Sequence, residues 1–407
     1  MFILRILYNL FIIILIPFAV PIGFLIALRK KEDADYFQRF GFITFPEPPA
    51  KTVWFHCASV GEVRSLKQLI NAFRRRYPDA EFMISTTTAT GKAIAEKELK
   101  PYFAFLLPIE NPIAISYILY CMNVKATVII DTELWPNFIS STSKHAPLFL
   151  VNARISDRSL GGYMKIRRVI SPLLHKFEHI FTKSEEDTAR FAALKGSSEG
   201  ISTLGNIKFS EFDGEPDLSV IKPLNDRPFI AAASTHKSEE EAAVKAFRKS
   251  GFAGRLIIAP RHLNRTDECL ALLKSSGLRA CTLTEFNPDC DAVVVNVFGQ
   301  LEALYRTADR IFIGGSIANV GGHNIFEALR FGRHVAVGPN MQNFREIYEL
   351  AIKYNLVTTV KGEEELAAFF AAPEPEGSFG DFRAEVQASA DERLSKFLEA
   401  IKVALAD

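Results

Sequence analysis

The stretch Val53-Trp54-Phe55-His56-Cys57-Ala58-Ser59-Val60-Gly61-Glu62-Val63 changes its hydrophobic pattern halfway along. Val53, Trp54 and Phe55 form a continuous apolar run. Beyond Glu62, the apolar residues Leu66, Leu69 and Ile70 recur at helical spacing. The segment reads as a buried strand, a tight turn and a helix. A strand apolar on both sides belongs inside a parallel sheet covered on both faces. Gly61 offers the turn a residue without a Cβ. Ser59 stands where a helix N-cap belongs, and Glu62, three residues on, completes a capping box. Glu62 also stands at the carboxyl end of a strand, where such sheets bind ligands, so a general base fits equally well.

Working outward, the alternation continues. Apolar runs at 52–57, 82–85, 102–107, 127–130, 147–151 and 179–182 read as strands, with amphipathic stretches such as 62–76, 112–122 and 185–195 between them. The pattern pauses at 211–228, which is rich in Pro, Gly and acids, and marks a linker. It resumes with strands at Phe229–Ala233, Leu256–Ala259, Ala292–Val297, Arg310–Ile313 and Val335–Val337. The expected architecture is α/β, with two Rossmann-like doubly wound domains facing a cleft: residues 32–210 and 229–380, with a C-terminal helix over 381–407.

A length of 407 residues suits two domains, and 48% hydrophobic with 23% charged residues is a globular composition. A net charge of +1 gives no field for nucleic acid. Five cysteines without a CxxC argue against a disulfide framework or zinc site. The N-terminus departs from this. Leu7 to Leu28 contains no charged residue and is followed by Arg29-Lys30-Lys31. Residues 1–31 therefore read as a membrane anchor, with the body of the protein on the cytoplasmic side. Pro17 and Pro21 allow either a spanning helix or a shallow monotopic one.

Several strand ends carry polar residues. Asp131-Thr132-Glu133-Leu134-Trp135-Pro136-Asn137 places a second carboxylate, Glu133, where it can tune Glu62. Arg154 closes the next strand and suits an anionic group. In the second half, Ser234-Thr235-His236, Pro260-Arg261-His262, Gly314-Gly315-Ser316 and Gly321-Gly322-His323-Asn324 follow strands, the last leading to Glu327. Glycine-rich turns that open helices suit phosphate, Arg261 adds a bidentate cation, and Glu327 suits ribose hydroxyls. There is no GxxxxGK[ST], no HExxH and no DxD at a strand end. His56, His145, His175, His179 and His334 lack ligand spacing, and adjacent strand residues make His56 and Cys57 poor partners. The mix of Lys165, Arg167 and Arg168 with Tyr163, Met164 and Ile166 suits either a membrane-surface helix or an ordinary one.

In order along the chain, ASVGEV, TELWPN, NARISDRS, GNIKF, STHKSEEE, APRHLNR, GGSIANVGGHNIFEAL and NMQNFRE together resemble the 3-deoxy-D-manno-octulosonic acid (Kdo) transferases. The resemblance implies a GT-B glycosyltransferase that moves Kdo from CMP-Kdo onto the tetraacyl-disaccharide bisphosphate lipid IVA, with no metal or other cofactor. It further implies Glu62 as catalytic base, Glu133 as a second essential carboxylate, and donor-site roles for Lys208, His236, Arg261, Asn324 and Glu327. Gly315, Ser316 and Gly322 join the donor set as phosphate-cradling turns, and Gly61 and Arg154 the acceptor side. The chain departs from the family's pattern at Asn296 and Gln300, where acids are usual. Another GT-B glycosyltransferase or a sugar-nucleotide epimerase of the same fold is the alternative, and a tethered scaffold without catalysis a further one.

Overall fold

The computed structural model describes residues 8–10, 12, 14, 20–25, 28–29, 35–207, 212 and 215–406. The anchor expected over 1–31 therefore lies largely outside the described residues, and Lys208 lies outside them as well. Among those described, no helix is long and apolar enough to cross a membrane.

The chain divides into two compact units, Met1–Ser210 with Ser389–Asp407, and Glu211–Ala388. The first holds strands β1 (Thr52–Cys57), β2 (Glu81–Thr86), β3 (Phe103–Leu106), β4 (Val124–Ile130), β5 (Leu148–Ala153), β6 (His179–Thr182) and β7 (Ile201–Thr203). Their order is β3-β2-β1-β4-β5-β6-β7, with every pairing parallel. The second holds β8 (Phe229–Thr235), β9 (Arg255–Pro260), β10 (Ala280–Thr282), β11 (Ala292–Val294), β12 (Arg310–Ile313), β13 (Val335–Val337) and β14 (Val357–Thr359). Their order is β10-β11-β9-β8-β12-β13-β14, again parallel throughout.

The continuous apolar runs are strands because both faces are covered. On one face of the first sheet, Val53, Phe55 and Cys57 pack with Ile70 and Phe73. They also meet Phe397, Ile401 and Leu405 of the helix Phe379–Ala406, whose last part returns to this unit. On the other face Trp54 packs with Phe138, and the His56 ring meets Phe138 edge-on. His56 and Cys57 thus point to opposite faces, so no thiol–imidazole pair forms. Sequence periodicity misses β7, β10 and β14. These lie at sheet edges and have only three residues each, too few to show a pattern. The helix expected over 62–76 is two helices, Val60–Ser65 and Lys67–Arg76, joined at Leu66. The basic stretch near 165 also breaks, at Ile166, and Arg167 donates to the Leu194 carbonyl at the end of helix Glu185–Lys195.

Candidate active site and donor pocket

Strand order locates both candidate sites. In the first unit the chain moves outward from β1 to β2 and β3, then returns to add β4 on the opposite side of β1. Connections after β1 and β4 therefore part, and a crevice opens at their carboxyl ends. Glu62 follows β1, while Asp131 and Glu133 follow β4. The second unit repeats the layout: β8 and β12 are neighbours whose connections lead to opposite sides. His236 follows β8, and Gly314-Gly315-Ser316 follow β12.

In the first crevice, Ser59 caps helix Val60–Ser65. Its Oγ donates to Glu62 Oε1 at 2.8 Å, and the Ala58 N–H donates to Glu62 Oε2 at 2.6 Å. Glu62 is thus both cap and candidate base. Burial raises its carboxyl above the ordinary range, the Ser59 and Ala58 hydrogen bonds pull it back, and the charges of Asp131 and Glu133 push it up again. Glu133 is itself raised by burial, offset by the Trp135 indole N–H that it accepts at 2.7 Å. Asp131 takes a left-handed φ of 57° and accepts a bond from the Asn152 amide. Arg154 is held by its backbone, which exchanges hydrogen bonds with the Thr132 hydroxyl, and its side chain is exposed.

The role expected of Gly61 needs correction. It lies in the first turn of the helix without a positive φ, and a Cβ there would meet only Ser59 Oγ, at 3.9 Å. Neither conformation nor space demands glycine at this turn. What Gly61 leaves is an exposed, open approach beside Glu62.

In the second crevice, the His236 and His323 rings face each other with Nε2 to Nε2 at 2.9 Å, so one donates and the other accepts. His262 stands edge-on to His236 with centroids 6.0 Å apart. Burial, with the His236 ring and the Arg261 guanidinium close by, pushes His323 down to about 4. Arg261 is exposed, its backbone N–H bonded to the Thr235 carbonyl. Asn324 donates to Glu327 at 2.9 Å. Burial raises Glu327, while Asn324, Arg330 and Arg261 lower it and Glu302 raises it. His236, Arg261, Asn324 and Glu327 thus converge.

Gly315, Ser316 and Gly322 do not fit the phosphate role expected of them. The Gly315 and Ser316 N–H groups donate to the buried Glu239 carboxylate at 2.7 and 3.0 Å. Ser316 Oγ donates to the Ile313 carbonyl and accepts from Gly338 N–H. Gly322 N–H donates to the Gly315 carbonyl at 2.7 Å. The helix that was to present these amides, Phe326–Leu329, has only four residues and begins beyond them. Glu239 was hidden in the run Glu239-Glu240-Glu241, which resembles an ordinary acidic first turn. At the departures, Asn296 bonds Thr284, and Gln300 precedes helix Leu301–Thr307 with its Nε2 on the Phe298 carbonyl. Among the described residues no cluster of His, Cys, Asp or Glu is placed to hold a metal ion.

A model of the 3-deoxy-D-manno-octulosonic-acid transferase (kdotransferase) family matches residues 34–211. A bifunctional glycosyltransferase/methyltransferase of Fusobacterium nucleatum is 31% identical over 329 residues, 77% of this chain. The chain spans about half the length of that relative, 51%. A 3-deoxy-D-manno-octulosonic acid transferase of Rickettsia bellii is 30% identical over 373 residues, 88% of each chain. The solved putative UDP-N-acetylglucosamine 2-epimerase of Listeria monocytogenes superposes with a TM-score of 0.55 at 14% identity, over 86% of this chain and 95% of its own. That likeness shows a shared two-sheet α/β fold of the GT-B kind and nothing further. With the family model and the Rickettsia relative in agreement, the chain belongs to the 3-deoxy-D-manno-octulosonic acid transferase family.

Proposed function

We propose that this protein transfers Kdo from CMP-Kdo to a hydroxyl of lipid IVA, with inversion and without a metal, and that Glu62 is the general base. The observation that carries the reading is Glu62 itself. It is a partly buried carboxylate at the β1/β4 switch point, raised above the ordinary carboxylate range by burial and by two neighbouring acids. An acceptor hydroxyl is far too weak an acid to attack as it stands. Glu62 takes its proton as the new oxygen–anomeric carbon bond forms. The bond from that carbon to the CMP phosphate oxygen breaks, and CMP leaves with the electron pair. One displacement inverts the centre. Positive charge on the ring is offset by Glu133 and Asp131. Charge on the leaving phosphate falls to Arg261 and Lys208.

The same proposal places the protein on the inner membrane, catalytic units on the cytoplasmic side. The apolar N-terminal stretch supports this, as does a surface close to it. Val20 accepts a bond from the Tyr36 hydroxyl, and Phe24 packs on Tyr36 and Phe37. On the uncharged helix Pro112–Cys121, Ile113 and Tyr120 are 81% and 84% exposed, and nearby Phe42 is 74% exposed. Such a face suits the boundary between headgroups and acyl chains.

The test is product formation from CMP-Kdo and lipid IVA in the presence of a chelator. NMR assigns the anomeric configuration of the product, and vesicle flotation of the full chain reads attachment. No product, a retained configuration, or loss of turnover with chelator each removes the corresponding part of the reading.

A further inference from the structure

We propose that Glu239 is the positioning residue of the donor pocket: its carboxylate fills the anion-binding turn after β12 from within and locks the two strand ends of the second crevice together. Three acids open helix Glu239–Ser250. Glu240 pairs with Arg265 at 2.6 Å, and Glu241 is exposed. Glu239 and Glu240 are both buried, but only Glu239 turns toward the loop after β12.

Oε1 accepts from the N–H groups of Ser316, Ile317 and Ala318 at 3.0, 2.9 and 3.0 Å. Oε2 accepts from Gly315 at 2.7 Å and from His236 at 2.9 Å. Consecutive amides converging on one anion form a nest of the kind that elsewhere cradles phosphate. Here the protein supplies the anion. Each amide left without it would be a buried donor with no acceptor, which a folded chain avoids.

The geometry has two consequences. Gly314 must be glycine, since a Cβ would lie 2.7 Å from Glu239 Oε2 and 2.7 Å from Thr235 Cα. The loop also carries the histidine pair, because Gly315 (φ 67°) lies under His323 so closely that a Cβ would meet the ring at 2.6 Å. Glu239 therefore fixes the backbone beneath both His236 and His323, beside Arg261 and Glu327. It also removes these amides from the donor's phosphate, which leaves that charge to side chains.

The inference rests on reading this pocket as the donor site, and the experiment separates the two. CMP affinity of the full-length protein is measured by calorimetry, with amide hydrogen exchange on the same samples. In Glu239→Gln the carboxamide turns an N–H donor toward N–H groups. CMP affinity is expected to fall about tenfold or more, with donor KM rising and kcat changing less. In Glu239→Ala, added formate re-enters the nest and restores CMP affinity, which a merely structural role does not allow. A folded Gln variant that binds CMP within about twofold of wild type overturns the proposal. So does an Ala variant indifferent to formate. If neither variant folds, wild-type exchange decides: Ser316–Ala318 amides exchanging as fast as exposed loops refute it. If wild type binds no CMP, the donor reading fails, while those amides still report on Glu239.

Discussion

Glu62 both caps its helix and stands ready as a base, and the two duties can be separated. Glu62→Gln keeps the size and one acceptor oxygen but removes the basic lone pair. Losing the bond to Ala58 or Ser59 should cost about 1 kcal/mol of stability, as for other N-terminal caps. Losing a general base should slow transfer about 10²–10⁴-fold, which is about 3 to 5 kcal/mol of barrier. The partner variant, Ser59→Ala, removes the same cap and spares the base. It should lose a similar stability yet keep most turnover at high pH. The sign of its pH effect follows from the geometry. The Ser59 hydroxyl donates to Glu62 Oε1 at 2.8 Å and so favours the charged carboxylate. Without it Glu62 rises further, and the acid limb of kcat/KM moves to higher pH. The assay is single-turnover transfer across a pH series, beside urea unfolding. Glu62→Gln retaining more than about a tenth of the rate, or an acid limb unmoved in Ser59→Ala, refutes the assignment.

Three other outcomes are expected. Glu133→Gln removes a negative neighbour that raises Glu62, so the acid limb should shift to lower pH, opposite to Ser59→Ala, and an unmoved limb would show that the two carboxylates do not communicate. His56 is fully buried and pushed down from 6.5 to about 4, so it contributes stability that is present above pH 6.5 and lost as pH falls toward 4, about 3 kcal/mol in all. His56→Phe, which suits the edge-on contact with Phe138, should flatten unfolding free energy over that window; an unchanged slope in urea titrations would contradict it. Arg255, fully buried, bonds Asp226 and the carbonyls of Leu224, Pro288 and Cys290. Arg255→Met should cost about 3 kcal/mol, and a measured loss under about 1 kcal/mol would mean those carbonyls find other partners.

Much of the fold was readable because a doubly covered parallel sheet leaves a local mark. Strands such as Thr52–Cys57 and Phe229–Thr235 are buried on both faces, which suits a covered parallel sheet. Edge strands such as Ile201–Thr203 are half-exposed and short, so their pairing comes from the neighbour strand and not from their own pattern. The ordered motifs likewise named Glu62, Glu133, His236, Arg261, Asn324 and Glu327 and pointed to the family.

By itself, then, the sequence determined the βα alternation, the division into two units, the polar strand ends and the family they belong to, because each of these is written in residues close together along the chain. Tertiary structure decided which strand ends are neighbours. Strand order brings Glu62 beside Asp131 and Glu133, and sets β8 against β12. It also decided direction. Of three successive acids Glu239 and Glu240 are buried, Glu240 against Arg265, and it is the Glu239 carboxylate that occupies the amides of Gly315 and Ser316 that the motif offered a phosphate. Spacing along a chain cannot reveal that, since an amide's partner is settled by what packs above it across 76 or 77 residues of sequence.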